Sequence, residues 1–241
     1  MKNLFLFLLI PLVLGSSCRF IGGKRVRGNG NWKTEERSVS NFKEVQVSGA
    51  IDVIVSTGSV AQVKVETDEN LQQYIEVIQN GDQLEIRNKS GYSPRPTRDM
   101  KVYVTSPSFT HIGVSGACDI YSQGRVVNPD KLEMNVSGAG SITMDLDAPN
   151  VFAQISGSGD VKLSGQTRDL EINLSGAADA KCYDMKAENT SVHISGAGDA
   201  EVYASVSLDA QVSGAGSVKY KGNAAKVNQQ VSGAGSVKKA E

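Results

Sequence analysis

The chain has 241 residues, enough for one large domain or two small ones, and its 39% hydrophobic and 21% charged content fits a folded protein rather than a disordered one. Lys plus Arg number 25 against 26 Asp plus Glu, and a net charge of −1 speaks against a dedicated nucleic-acid binder. Three Cys and two His leave no disulfide framework and little for a multi-ligand metal site, so no cofactor is implied.

The chain opens with Met1-Lys2-Asn3 and eleven apolar residues, Leu4 to Leu14. A spanning helix needs about 20 apolar residues, so this run reads as the apolar core of a secretory signal. Gly15-Ser16-Ser17 and then Cys18 follow, and the arrangement resembles a bacterial lipoprotein signal in which residues 1–17 are removed and Cys18 is lipidated. An ordinary cleaved signal is the alternative. Residues 18–33 are expected to be a flexible linker whose Arg19, Lys24, Arg25 and Arg27 would lie near anionic headgroups. The expected location is the cell envelope, lipid-anchored at the outer membrane.

Residues 34–110 read as a first strand and a β-rich capping region. Val53 to Val55 begin a strand, and Val63 and Val65 alternate with polar partners. Glu69 to Ile78 predicts one short helix. Asn80-Gly81 marks a hairpin turn between Ile75–Ile78 and Leu84–Ile86, while Pro94 and Pro96 read as loop. The region is either an insertion into the first coil of a repeat or a small β-domain covering that coil's open end.

The repeat is the dominant signal. Eight versions of one phrase recur, from VSGAIDV at 47 to VSGAGSV at 231, sharing Gly49, Gly116, Gly138, Gly157, Gly176, Gly196, Gly214 and Gly233. Thirteen of the 25 glycines fall inside these phrases, and after a first interval of 67 residues the spacing is 18 to 22. Apolar residues stand two and four positions before the shared glycine and four and six after it, which is strand periodicity. A unit of two short strands cannot bury its apolar face alone, so residues 111–241 are predicted to stack as an all-β solenoid of about 19-residue coils. The glycine is required where the chain bends with positive φ or coils approach closely, and the alanine after it is expected to be small for the same packing reason. The C-terminal coil shows no cap, so a homodimer through that end is expected.

Chemistry is sparse. Three residues after the shared glycine stand Asp52, Asp119, Asp160, Asp179 and Asp199, alternating with Ser141, Ser217 and Ser236. Asp160, Asp179 and Asp199 are weak calcium candidates, under-liganded at one carboxylate per coil; a capping role on a nearby backbone N–H fits better. Tyr183, Tyr203 and Lys221 share one outward offset and form a possible ligand stripe suited to sugar rings, with an aromatic ladder between coils as the plainer role. No nucleophile elbow, phosphate loop or His/Cys cluster occurs, so no catalytic residue is assigned. Cys118 and Cys182 lie too many coils apart for a disulfide.

The repeated V-S-G-A-G-[SD]-[VI] phrases, with the Glu69 to Ile86 segment and the lipoprotein-like signal, resemble the head GIN domain of putative auto-transporter adhesins found in Bacteroides-type envelopes. The resemblance implies a right-handed parallel β-helix and supplies no catalytic or binding residues. The expected function is a lipid-anchored, adhesin-like module that binds a glycan or envelope polymer and is not an enzyme. A structural or signalling scaffold with a protein partner is the first alternative, and a polysaccharide-active enzyme the second.

Overall fold

The computed structural model describes residues 23–240, so the signal segment and Cys18 lie outside the described residues. Strands account for nearly all regular structure. In the N-terminal part these are β1 (Lys24–Arg27), β2 (Trp32–Arg37), β3 (Glu44–Gly49), β4 (Asp52–Thr57), β5 (Gln62–Asp68), β6 (Ile75–Asn80), β7 (Gln83–Asn88), β8 (Tyr92–Arg95) and β9 (Lys101–Ser106). The repeat contributes β10 (His111–Gly116), β11 (Asp119–Val127), β12 (Lys131–Gly138), β13 (Ser141–Asp147), β14 (Asn150–Gly157), β15 (Asp160–Gly176), β16 (Asp179–Gly196), β17 (Asp199–Tyr203), β18 (Ser207–Gly214), β19 (Ser217–Lys221), β20 (Lys226–Gly233) and β21 (Ser236–Lys239).

The phrases stack in register as a β-solenoid of about seven turns. Gly49 pairs with Gly116, Gly116 with Gly138, and so on through Gly214 with Gly233, always between parallel strands. Segments before the corner form one parallel sheet and segments after it a second. The alternating apolar columns point between the two sheets: Ile112, Val114, Met134, Val136, Ile172 and Leu174 are all buried, as are Ile120, Ile142, Val161 and Val218 on the other side of the corner. One continuous core runs from the cap to the last coils.

The corner explains the glycine. Gly138 has φ of +117°, and a Cβ there would stand 2.6 Å from the carbonyl oxygen of Gly116 in the coil below. Both reasons for glycine, conformation and close approach, therefore act at one position. The alanines that follow differ from expectation. Ala117, Ala139, Ala177 and Ala197 are exposed, and what the coil uses is their N–H, which donates to the glycine carbonyl below at 2.8–2.9 Å. The crowded place is one residue further on, where Ile51, Cys118, Gly140, Gly159, Ala178 and Gly198 point inward and the core narrows along the stack.

The long first interval is an insertion that also caps. β3–β4 forms a coil, and β7 and β9 pair in parallel on its outer side while β10 and β11 pair on its inner side. Spatial order therefore departs from chain order. β6 then adds antiparallel to β7, and β5 and β2 add antiparallel beyond β9. The expected helix is a single 3-10 segment, Glu69–Tyr74, after which Ile75 begins β6. The hairpin turn stands as read: Asn80 pairs with Gln83, and Gly81, at φ +61°, takes the first place of the two-residue loop.

Two corrections concern the segments read as linker and loop. Lys24–Arg27 is strand β1, paired in parallel with β8, which itself contains Pro94. Pro94 is tolerated because this ribbon has two strands and therefore only edges. The ribbon is fastened by Asp68, fully buried, which accepts from Gly30 N (2.6 Å), Thr97 N (2.8 Å) and Thr97 Oγ1 (2.8 Å).

At the other end, β20 is the outermost described strand of its sheet. Its inward-facing Val227 and Val231 are 40% and 45% exposed.

Candidate functional site

Strand alternation turns every second side chain of the pre-corner sheet outward, and stacking converts each offset into a column. Three residues before the shared glycine the column reads Asn135, Gln154, Asn173, His193, Gln211 and Gln230. A serine column lies beside it, nearest the corner. Five and seven residues before the glycine come mixed groups such as Phe152, Glu171 and Asp209, then Lys131, Asp169, Asn189 and Lys226. The face is concave. Two adjoining hollows of about 760 and 660 Å³ run across successive coils, the first over the mixed columns and the second over the amide and serine columns.

The columns differ in how far their hydrogen bonds are spent. The outermost forms a ladder: Asn189 donates to Asp169 at 2.8 Å, and Ser207 Oγ donates to Asn189 Oδ1 at 2.8 Å. The Asn189 amide and then the Arg168 guanidinium hold the Asp169 carboxyl below its ordinary range. In the amide column, by contrast, the side chains of Gln154, Gln211 and Gln230 make no hydrogen bond among the described residues, and Asn173 makes one, to Glu171. His193 Nδ1 and Asp209 Oδ1 are shielded from water yet have no partner. The Gln154, Gln211 and Gln230 amides thus leave donors and acceptors unspent along the groove.

The residues singled out from the sequence lie elsewhere. Tyr183, Tyr203 and Lys221 sit on the post-corner sheet, where Tyr203 pairs with Lys221 in register. Tyr183 is displaced, because Cys182 and Tyr183 together face the single residue Leu163, a bulge that accounts for the 20-residue interval. The two tyrosines do not stack. Lys186 Nζ lies 4.2 Å from the centre of the Tyr203 ring and Lys221 Nζ lies 4.9 Å from that of Tyr183. Tyr203 borders a hollow of about 500 Å³ with Arg168, Lys186 and Glu188.

Three members of the aspartate column act as inter-coil caps. Asp119 accepts from Ser141, Asp179 from the N–H of Asp199, and Asp199 from Ser217. The bonded N–H belongs to the next coil, not to the aspartate's own corner. Among the described residues no three His, Cys, Asp or Glu side chains converge as a metal site. Cys118 and Cys182 are buried free thiols, and burial pushes Cys182 up to about 12. The eight corner glycines sit where the repeat placed them, but they shape the groove rather than line it. What the sequence reading missed was the groove itself; the signal available was the run of amides at one offset.

No helix among the described residues is long and apolar enough to cross a membrane. The arrangement defines a β-solenoid with a preformed groove on one sheet, along which polar side-chain columns run. The chain belongs to the family described as putative auto-transporter adhesin, head GIN domain, whose model matches residues 41–224. Among solved structures it is similar to a Parabacteroides distasonis protein described as a putative lipid binding protein, with 26% identity over 90% of this chain and 100% of that one and a TM-score of 0.73. It is also similar to a putative adhesin of Bacteroides fragilis, at 22% identity, 89% and 100% coverage and a TM-score of 0.81. A second P. distasonis protein, a putative adhesin, matches at 25% identity, 90% and 100% coverage and a TM-score of 0.72. No curated protein matches. The family is adhesin-like, which suggests a cell-envelope or surface protein and points to a binding protein rather than an enzyme.

Proposed function

We propose that the chain is a lipid-anchored envelope module that holds an extended glycan or envelope polymer along the groove of its pre-corner sheet. The unspent amide column carries this reading. Its groups recur once per coil, about 4.8 Å apart, comparable to the advance of one ring along an extended sugar chain. Hydroxyl-rich ligands are recognised by such displayed donors and acceptors, with few charges needed. The tyrosine stripe is a second face of the same kind, available to a ligand only where Lys186 and Lys221 leave the rings. Anchoring through Cys18 would hold the solenoid at the outer membrane, and one P. distasonis neighbour is described as a putative lipid binding protein.

Retention on a panel of immobilised glycans and cell-wall polymers tests the reading. The chain is expected to be retained, and the triple variant Gln154→Ala, Gln211→Ala, Gln230→Ala to be released. Equal retention of both, or none of the parent, overturns the groove. Membrane fractionation of a Cys18→Ser variant tests the anchor separately, with release into the soluble fraction expected.

A homodimer through the β20 edge is the partner that the exposed Val227 and Val231 favour. Sedimentation at rising concentration should show it, and Val231→Lys should abolish it.

A further inference from the structure

The β1–β8 ribbon brings three arginines to one place. Arg27 and Arg95 stand directly opposite in the parallel register, and Arg25 precedes Arg27 by two residues, hence on the same face. With Pro96 and Thr97 they line a hollow of about 490 Å³. Among the described residues none of these three guanidinium groups meets a carboxylate, whereas Arg37, Arg87, Arg125 and Arg168 each do. Asp68, close to the ribbon, is committed to Gly30 and Thr97. Arg98 is drawn aside over the Trp32 ring at 5.6 Å. Like charges set directly opposite across a strand pair are unfavourable, and among the described residues no ion pair offsets them here.

We propose that Arg25, Arg27 and Arg95 form an anion site for a phosphate group, borne by a lipid headgroup or by a soluble phosphoryl compound. Planar guanidinium forks match phosphate oxygens two at a time, and an entering anion removes the mutual repulsion of the three cations. The position suits a headgroup. Gly23, where the described chain begins, is five residues past Cys18, and five extended residues span at most about 18 Å. A lipid on Cys18 would therefore keep the cluster within reach of the bilayer surface. Only this headgroup source rests on the anchor reading; the phosphate chemistry does not.

The test uses the chain carrying Cys18→Ser, so that no attached lipid contributes. Co-sedimentation with phosphatidylglycerol and phosphatidylcholine vesicles is compared with titration by inorganic pyrophosphate. The parent is expected to prefer the anionic vesicles, and Arg25→Gln, Arg27→Gln, Arg95→Gln to weaken that binding at least tenfold. The corresponding triple Lys variant keeps both charge and fold and is expected to bind between the two. Pyrophosphate that binds and competes with vesicles assigns the site to phosphate from either source; vesicle binding without a pyrophosphate response assigns it to headgroups. Unchanged binding in the Gln variant, a Lys variant as tight as the parent, or a parent indifferent to both probes overturns the site. A Cys18→Ser protein that also carries Arg25→Gln, Arg27→Gln and Arg95→Gln and still stays with the membrane fraction in cells removes the anchor reading while leaving the pyrophosphate result to stand.

Discussion

The carboxylate of Asp199 accepts two hydrogen bonds from Ser217 in the next coil, one from its N–H at 2.9 Å and one from its hydroxyl at 2.7 Å. Asp119 and Ser141 repeat the arrangement at 3.0 and 2.7 Å. The mixing of Asp and Ser along this column is therefore a matching of acceptors to donors between neighbouring coils. Asp160 makes no such side-chain bond among the described residues. Asp199→Ala is expected to lose about 1 kcal/mol of stability, the net worth of an ordinary hydrogen-bond loss at an exposed position, while Asp160→Ala should be close to neutral. Urea unfolding of the two variants checks the difference.

Gly138→Ala should be far more damaging than its size implies. The backbone at φ +117° is closed to an L-residue, at a cost of about 1–3 kcal/mol, and the new methyl would also press on the Gly116 carbonyl. Gly81 provides the contrast. It too has positive φ, but a Cβ there meets nothing within 4 Å, and its φ of +61° is one that Asn tolerates. Gly81→Asn should cost less than 1 kcal/mol, with thermal unfolding midpoints reading out both substitutions.

Burial pushes the Asp68 carboxyl up, but hydrogen bonds from Thr97 and Gly30 outweigh it and hold the group below its ordinary value. A depressed folded-state value means that the stabilisation is complete above the unfolded carboxyl's pKa of about 3.9 and is lost as pH falls through the lowered value. Asp68 ties the β1–β8 ribbon to the cap, so acid should free the ribbon first. Asp68→Asn should have a similar effect at neutral pH, because one oxygen becomes a donor facing either Gly30 N–H or Thr97 N–H, at a cost of about 1–3 kcal/mol. Hydrogen-exchange protection factors at Gly30 and Thr97 should fall in both cases, ahead of those of the solenoid amides.

Much of this architecture was legible because a stacked repeat writes each packing rule eight times. Val136 and Ile155 are buried where the two-residue alternation puts them, and Gly138 sits at the bend. The nesting of 83–106 outside the 44–57 coil was not legible, since parallel pairing leaves the same alternation whichever neighbour a strand takes. Nor was β1: Lys24-Arg25-Val26-Arg27 is too short and too charged to announce a strand, and only pairing with β8 makes it one. The exposed Ala117 and Ala139 show a small residue kept at a place that packing does not crowd. At the groove, Asn135 and Asn173 could be assigned outward from the period, but the concavity arises from how successive coils stack across β12 to β20 and has no local sequence mark.

The same limit applies to Tyr183 and Tyr203, whose equal offset hides a bulge. Each ring faces an ammonium group: Lys221 reaches past its register partner Tyr203 to Tyr183, and Lys186 covers Tyr203. At exposed sites such contacts are worth about 0.5–1 kcal/mol. A double-mutant cycle of Lys221→Ala and Tyr183→Leu should therefore return a coupling energy of that size, whereas a pair that merely shares a surface should be additive to within about 0.5 kcal/mol. The cycle also separates the two uses of the stripe. A coupled pair joins non-adjacent coils and braces the stack, so Lys221→Ala lowers stability and at the same time bares the Tyr183 face. If the stripe binds sugars, that variant should then bind them more tightly than the parent in the same glycan panel, despite its lower stability; an uncoupled pair would leave both measurements where they were.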